Sequence, residues 1–220
     1  MAAGVIFDMD GVLVDSGPAH QESWRVLARR HGKQVSDETF ARTFGMRSSD
    51  IIRLLWGEDL GGGEVQALDD EKEATYRELI TGNVPLMPGC RETLAALRDA
   101  GLCLAVATSG PPANVALVLR EGGLDEYFQA TVHGFDIQRG KPAPDCFVLA
   151  AERIDLERSQ CVVVEDAPVG VEAALAADMP VIGLAGTHPA AALTEAGAVD
   201  VVTQLAQITP SRVTRLLAAR

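Results

Sequence analysis

Short apolar runs alternate with amphipathic helical segments along most of this chain, and no other feature constrains the fold as strongly. The first run is Val5-Ile6-Phe7, and after Pro88 the runs follow one another with a helical pattern between them. Strands that alternate with helices are typical of a parallel sheet covered on both faces. The pattern predicts strands at 102–107, near 130–133, at 161–164, at 181–184 and near 199–202, and helices at 90–100, 112–121, 144–153, 169–177 and the C-terminal end.

Residues 16–82 interrupt the alternation, because they show helical patterns and no convincing strand. Helices are predicted at 19–30, 36–43 and 64–80, with one more helix that Ser49 would cap. Their large aromatic side chains are expected to pack inside this segment rather than to stack on a ligand; they are Trp24, Phe44, Trp56 and Tyr76.

These patterns together predict an α/β fold. The core is a doubly wound parallel-sheet (Rossmann-like) domain formed by residues 1–15 and 84–220. An all-helical domain at residues 16–83 is inserted into that core. The chain is 47% hydrophobic over 220 residues, which is enough apolar material to fill both parts.

The charge balance limits the partners of this chain. It carries 19 Lys and Arg against 31 Asp and Glu, a net charge of −12, which argues against nucleic acid and anionic membranes. No apolar run nears the roughly 20 residues that span a bilayer, and no basic region precedes an apolar segment at the N-terminus. We expect a cytoplasmic protein, a monomer or weak homodimer, whose four cysteines are free thiols; these are Cys90, Cys103, Cys146 and Cys161.

Polar side chains follow several of the predicted strands at the point where each strand ends. Asp8 and Asp10 follow the first apolar run, and Gly11 comes next, where backbone can approach a ligand closely. Thr108-Ser109-Gly110 follows 102–107, Glu165-Asp166 follows 161–164, and Lys141 lies in a proline-bounded loop. Ligands of open α/β sheets bind at this edge. Adjacent carboxylates repel unless a cation relieves them, and oxygen ligands suit Mg²⁺.

The four motifs, in this order and spacing, resemble those of the haloacid dehalogenase superfamily, in the branch of helical-cap enzymes that contains β-phosphoglucomutases and sugar-phosphate phosphatases. The Gly140-Lys141-Pro142 and Glu165-Asp166-Ala167-Pro168 forms make the likeness specific. The resemblance covers nearly the whole chain. It implies that the inserted helices form a cap that closes over the site, excludes water and selects the substrate.

The resemblance also assigns roles to the core residues. Asp8 would be the nucleophile that forms an aspartyl-phosphate, and Asp10 the general acid and then the base that activates water. Thr108 would donate its hydroxyl and backbone N–H to a phosphoryl oxygen, an interpretation that the resemblance favours over a helix cap. Lys141 would neutralise Asp8 and the phosphoryl oxygens.

Ligand and substrate residues follow from the same likeness. Mg²⁺ would be bound by Asp8, the Asp10 carbonyl and Asp166, with Glu165 as a further ligand or a partner behind the ligands. The resemblance places the substrate against Ser109 at the end of the second strand. In the cap it points to His20, Arg47 and Lys72 as substrate-binding residues, against the alternative of surface or structural roles.

The resulting functional expectation is a magnesium-dependent phosphatase acting on a small phosphorylated metabolite, with a sugar or polyol phosphate as the favoured class. The alternative is a β-phosphoglucomutase, which His20, Lys72 and Glu165 favour. Those mutases usually carry a lysine and an asparagine after the second motif, where this chain has Gly110-Pro111-Pro112. A non-catalytic phosphosugar-binding regulator is a third hypothesis, which the intact catalytic set disfavours.

Overall fold

A single six-stranded parallel sheet organises the computed structural model, which describes residues 2–43 and 46–219. The strand order is β3-β2-β1-β4-β5-β6, with each neighbouring pair parallel. This order is that of the doubly wound nucleotide-binding folds, so the predicted fold class is confirmed. The strands are β1 (Gly4–Phe7), β2 (Cys103–Ala107), β3 (Ala130–Val132), β4 (Cys161–Glu165), β5 (Val181–Leu184) and β6 (Asp200–Val202).

Helices connect the strands and fill the insertion. In the described residues, four of them lie between β1 and β2: α1 (Gly17–Arg30), α2 (Asp37–Thr43), α3 (Ser48–Trp56) and α4 (Gly62–Ile80). The others are α5 (Cys90–Asp99), α6 (Pro112–Gly122), α7 (Asp145–Arg153), α8 (Pro168–Ala176), α9 (Ala190–Glu195) and α10 (Pro210–Ala218). Short 3₁₀ turns occur at Asp125–Tyr127, Arg158–Gln160 and Leu205–Gln207.

The two faces of the sheet are covered by different helices, as alternation along each strand requires. Val5 and Phe7 point into a cluster that includes Leu94 of α5 and Val118 of α6. Ile6 points to the opposite face. That second cluster contains Phe147 and Ala150 of α7, Val171 and Ala174 of α8 and Leu193 of α9. Every residue of β1 is buried, so this central strand anchors both halves of the core.

The register of the central strands places the predicted motifs side by side at the carboxyl-terminal edge of the sheet. Phe7 lies beside Val106 of β2 and Val164 of β4. The chain therefore leaves β1 at Asp8, where the Asp8 N–H still donates to the Val164 carbonyl at 3.0 Å. One residue further along β4 is Glu165. The carboxyl ends of these strands consequently form one polar edge.

The four helices between β1 and β2 pack around an apolar cluster of their own. Trp24 and Leu27 of α1, Ile52 of α3 and Leu68 of α4 belong to it, and Trp56 packs against it half-buried. Phe44, also predicted to pack in this segment, lies outside the described residues. Tyr76 instead joins the sheet-side cluster, although it is carried by α4.

The chain enters and leaves this helical segment through two adjacent connections. Val14 and Leu86 form an antiparallel bridge. The Asp15 N–H donates to the Pro85 carbonyl at 2.8 Å, and the Met87 N–H donates to the Leu13 carbonyl at 2.9 Å. The two connections therefore run side by side against the sheet edge.

Some boundaries differ from the sequence predictions. α3 begins at Ser48, so Ser49 lies inside the helix and does not cap it. α4 begins at Gly62 within the glycine run, where the Glu64 side chain accepts the Gly61 N–H at 3.0 Å and offsets the low helix propensity of glycine. The short helix α9 was not predicted. The four cysteines are free thiols as expected. Among the described helices, none has the length and apolar character needed to cross a membrane.

Candidate active site

Lys141 is the cation at the centre of the polar edge. Its ammonium donates to Asp8 Oδ1 at 2.8 Å and to Glu165 Oε1 at 2.6 Å, and all three side chains are buried. Burial lowers the pKa of Lys141, but the two carboxylates outweigh it and raise that pKa well above its ordinary value. Lys141 is therefore a permanent positive charge fixed against the proposed nucleophile.

Three buried acidic side chains converge beside this lysine. Asp8, Glu165 and Asp166 each place a carboxylate oxygen within 4.8 Å of the others. Burial raises the pKa of Asp8 to about 7, with Glu165 and Asp10 adding to the rise and Lys141 opposing it. Burial, together with Glu165 and Asp8, raises the pKa of Asp166 well above its ordinary value. Such crowding of carboxylates is relieved by a bound cation.

The donor set fits Mg²⁺. Asp166 Oδ2 is buried and accepts no hydrogen bond within the described part of the chain, so it is an orphaned ligand atom. The cluster offers carboxylate oxygens only, which favour Mg²⁺ over zinc. Glu165 differs from the other two, because Lys141 donates to one of its oxygens and the backbone N–H groups of Asp166 and Ala167 donate to the other. This geometry favours Glu165 as the anchor of Lys141, and its metal ligation stays a prediction.

Two glycines allow these carboxylates to sit where they do. Gly11 has a φ of 77°, and a Cβ there would overlap Asp166 Oδ2. At Gly170 on α8 a Cβ would overlap Glu165 Oε1. Both positions are therefore limited to glycine by the close approach of an acidic side chain.

Asp10 has a different set of partners from Asp8. His20 Nε2 lies 3.1 Å from Asp10 Oδ1, and the Tyr76 hydroxyl donates to the same oxygen at 3.4 Å. The His20 and Tyr76 rings stack, with centroids 3.9 Å apart and an interplanar angle of 2°. Burial raises the pKa of Asp10, but His20 and then Lys72 outweigh it and lower that pKa below its ordinary value.

The loop after β2 supplies hydroxyl groups. Thr108 Oγ1 accepts the Gly110 N–H at 3.1 Å, which leaves its O–H proton to donate. The Thr108 N–H donates to the Val132 carbonyl at 3.0 Å, so the predicted backbone contact to a phosphoryl oxygen is unavailable because the sheet uses that N–H. Thr108 and Ser109 line the same cavity as Asp8 and Asp10.

This cavity, of about 50 Å³, lies between the polar edge and the inserted helices. Its volume leaves room for only a few waters. Trp24 and Ile51 give it apolar wall, and Lys72 and Glu73 give it charge. The cavity is lined by Asp8, Asp10, His20, Trp24, Phe40, Thr43, Met46, Ser48, Ile51, Lys72, Glu73, Thr108, Ser109 and Gly110.

The predicted cap residues divide into two groups. His20 and Lys72 reach the cavity, and Lys72 Nζ lies 2.7 Å from His20 Nδ1 and 2.7 Å from Glu73 Oε1. Arg47 does not line it. The Arg47 guanidinium instead donates to three carbonyls of the loop after β3, at 2.5 Å to Gly134, 3.2 Å to Ile137 and 3.0 Å to Gln138. The structure therefore brings His20 and Lys72 to the catalytic carboxylates and places Arg47 in a neighbouring cleft.

Sequence reasoning missed three members of this site. Tyr76 was assigned to packing, yet it contacts Asp10. Glu73 lines the cavity and Asn114 of α6 donates to it at 2.6 Å. A glutamate on a long polar helix normally faces solvent, so the residue type of Glu73 did not indicate a place in the site. The helical spacing of Asp69, Lys72, Glu73 and Tyr76 could have indicated one shared face of α4.

Residues 2–178 match the haloacid dehalogenase-like hydrolases, and the chain belongs to that family. It is 34% identical to the phosphorylated carbohydrates phosphatase of Thermotoga maritima, over 90% of this chain and 93% of that one. It is 30% identical to the β-phosphoglucomutase of Bacillus subtilis, over 84% of each chain. A HAD hydrolase of family IA, variant 3, from Entamoeba histolytica superposes with a TM-score of 0.90 at 25% identity, covering 99% of this chain and 100% of that one.

The match confirms the predicted superfamily, and within it this chain is similar both to sugar-phosphate phosphatases and to β-phosphoglucomutases. The chain is accordingly an enzyme of this hydrolase family, and the hypothesis of a non-catalytic regulator is set aside.

Proposed function

We propose that this protein is a magnesium-dependent phosphatase that hydrolyses a small sugar or polyol phosphate through an aspartyl-phosphate on Asp8. Residues 16–83 would act as the cap and residues 1–15 and 84–220 as the catalytic core. The observation that carries the proposal is that Asp8 and Asp10 line one cavity but are held by different partners, Lys141 and His20. Different partners allow the two carboxyl groups to take different roles.

The first chemical step is transfer to the enzyme. An oxygen of Asp8 bonds to phosphorus while the bond from phosphorus to the leaving oxygen breaks, and Asp10 gives its proton to the departing alkoxide. A phosphate dianion entering beside Asp10 adds a like charge, which raises the pKa of Asp10 and favours the protonated acid. Lys141 and the Thr108 hydroxyl stabilise the charge that spreads over the phosphoryl oxygens.

The second step returns the enzyme to its starting state. Asp10 takes a proton from water as that water attacks the aspartyl-phosphate, and inorganic phosphate leaves. Asp8, Asp166 and the Asp10 carbonyl would hold Mg²⁺, with Glu165 behind them. When bound, the ion neutralises charge on the phosphoryl group and orients it toward Asp8.

The charges of the cavity favour a phosphatase over the mutase alternative. A mutase must grip a second phosphate while the bisphosphorylated sugar turns around. Lys72 is the one lysine or arginine among the cavity-lining residues that the structure describes, and Glu73 neutralises it at 2.7 Å. Arg47 is engaged by carbonyls outside the cavity, and Gly110-Pro111 provides no cation in the loop after Thr108. His20 and Lys72 at the cavity remain the features that favour a mutase.

Two measurements test the proposal. Turnover of a panel of phosphate esters, with and without Mg²⁺, should show release of inorganic phosphate that requires the metal. Supplying β-glucose 1-phosphate with a trace of β-glucose 1,6-bisphosphate should give mainly free phosphate. Rapid formation of glucose 6-phosphate with little free phosphate would establish the mutase instead. The expectations of a cytoplasmic location and of a monomer or weak homodimer stay predictions.

A further inference from the structure

Glu73 is a buried carboxylate whose three hydrogen-bond donors come from three different helices. Ser48 of α3 donates at 2.7 Å, Lys72 of α4 at 2.7 Å and Asn114 of α6 at 2.6 Å. Glu73 is 4% exposed and Asn114 is fully buried. Helix α6 belongs to the sheet domain and begins just after the Thr108 loop, whereas α3 and α4 belong to the insertion. Glu73 therefore joins the insertion to the helix that follows the Thr108 loop.

The amide of Asn114 is held in one orientation. The Arg77 guanidinium donates to Asn114 Oδ1 at 2.9 Å, so the amide NH₂ is the group that faces Glu73. Arg77 lies one helical turn after Glu73 on α4. Two neighbouring side chains of the insertion thus bind both ends of one core amide. This contact is complete only when the insertion lies against α6.

The hydrogen bonds lead from Glu73 to Asp10 in a fixed direction. An ammonium can only donate, so Lys72 donates both to Glu73 Oε1 and to His20 Nδ1. With Nδ1 as acceptor, the His20 ring proton is assigned to Nε2, which donates to Asp10 Oδ1 at 3.1 Å. Asp10 Oδ2 lies toward the Thr108–Gly110 loop. A side chain at Gly110 would place its Cβ 3.8 Å from this oxygen. The hydrogen bonds to Oδ1 therefore determine that Oδ2 is the Asp10 oxygen that faces the Thr108–Gly110 loop.

We propose that Glu73 is a positioning residue for the general acid, and that its bond to Asn114 couples the docking of the insertion on α6 to the alignment of Asp10. Glu73 holds the Lys72 ammonium against His20, and His20 holds Asp10. Without this carboxylate, Lys72 lacks its buried counter-ion, His20 loses the donor that fixes its tautomer, and the His20 hydrogen bond that orients Asp10 is weakened, which leaves the longer Tyr76 hydrogen bond to hold the carboxyl. This inference rests on the phosphatase chemistry proposed above.

The leaving group of the substrate separates positioning from structure. An alkoxide needs the proton of Asp10 to depart, whereas p-nitrophenolate is a stable anion that leaves without it. The ratio kcat/KM reports events up to the first irreversible step, so it reads the transfer to Asp8 and not the later attack of water. The experiment compares kcat/KM for the best alkyl phosphate of the substrate panel with kcat/KM for p-nitrophenyl phosphate, in Glu73→Gln and in wild type.

For Glu73→Gln we expect kcat/KM to fall about 100-fold on the alkyl phosphate and less than about 5-fold on p-nitrophenyl phosphate, in line with the contribution of a general acid. Glu78→Gln is the matched control, since it makes the same change at an exposed position of the same helix and should leave both substrates unaffected. Adding Lys72→Met to Glu73→Gln should cost little more than either change alone, because both interrupt one path.

Equal losses of kcat/KM on the two substrates would overturn the positioning role, as would additive losses in the double variant. Wild-type protein that hydrolyses neither substrate would instead refute the phosphatase proposal. If Glu73→Gln does not fold, Asn114→Ser carries the test. It removes the same docking contact from the core side, and we expect it to lower kcat/KM selectively on the alkyl phosphate about 10-fold. Equal losses on both substrates in Asn114→Ser would again reject the inference.

Discussion

The molecule buries two lysines within one site, and their surroundings differ in charge. Lys141 lies between two carboxylates, Asp8 and Glu165, close to a third acid. Lys72 has one carboxylate, Glu73, and a histidine, and the Trp24 ring lies 5.2 Å from its Nζ. The ion pairs of Lys141 therefore leave a negative excess that a divalent cation can use, whereas the ion pair of Lys72 joins one ammonium to one carboxylate. The comparison shows two uses of a buried ammonium. Lys141 contacts the proposed nucleophile, whereas Lys72 contacts side chains that in turn hold Asp10.

The partner of Lys141 gives the largest expected effect. Asp8→Asn should lower kcat by at least about 1,000-fold, roughly 4 kcal/mol in the barrier, because an amide is a poor nucleophile. The fold should survive, since Lys141 keeps Glu165 and an amide is nearly isosteric. Circular dichroism checks the fold and a phosphate-release assay checks kcat. A folded variant with more than about a tenth of wild-type kcat, a loss under about 1.4 kcal/mol, would remove Asp8 from this role.

Replacing each lysine by methionine sharpens the comparison. Lys141→Met should reduce kcat/KM on alkyl and aryl phosphates alike by about 100-fold or more, because charge on the phosphoryl group develops with either leaving group. It should also lower the free energy of unfolding by about 3 kcal/mol, since two buried carboxylates lose their counter-ion. Lys72→Met should affect mainly the alkyl phosphate. If both variants lost kcat/KM in the same ratio on alkyl and aryl phosphates, the two lysines would have the same role and the comparison would fail.

The negative excess beside Lys141 predicts the metal dependence. Excess chelator should abolish turnover, and Asp166→Ala should raise the Mg²⁺ concentration for half-maximal activity at least about 10-fold, because it removes the orphaned oxygen ligand. Titration of activity with Mg²⁺ in wild type and variant measures both effects. Full activity in chelator would refute a metal-dependent reaction.

The smallest expected effect lies beside Lys72, at Asp69. Burial, with Glu73 adding to it, raises the pKa of the Asp69 carboxyl to about 6. A raised pKa means that the folded state binds this proton more tightly, so the stability contribution of Asp69 falls as pH rises from about 4 to about 6. Asp69→Asn should therefore raise the free energy of unfolding by about 1–2 kcal/mol at pH 8 and change it little at pH 3. Urea titrations at both pH values measure this; stabilisation only at pH 3 would contradict the assigned direction.

The contrast between the two lysines also marks how far the sequence could predict the site. The position of Asp8 follows from an apolar run that forms a strand, because parallel strands end at one edge whatever helices cover them. The position of Lys141, in the loop before α7, was expected from the family resemblance. Glu73 and Asn114 could not be predicted in this way. Their contact depends on how α4 docks on α6. Glutamate and asparagine mostly lie at protein surfaces, so their residue types did not predict that they are buried. Arg47 was expected at the substrate, but the carbonyls of the loop after β3 bind its guanidinium, an outcome set by loop conformation.

The paired connections at Val14 and Leu86 also bear on how such a chain tolerates change. The two ends of the helical segment are hydrogen-bonded to each other. For the sheet domain, the distance that this segment has to bridge is therefore as short as that of a tight loop. The entropic cost of closing a loop grows slowly with its length, by about 0.6 kcal/mol for each doubling. Changes in the length of the segment between the connections should therefore cost the sheet little stability, provided that the residues contacting Asp10 are kept.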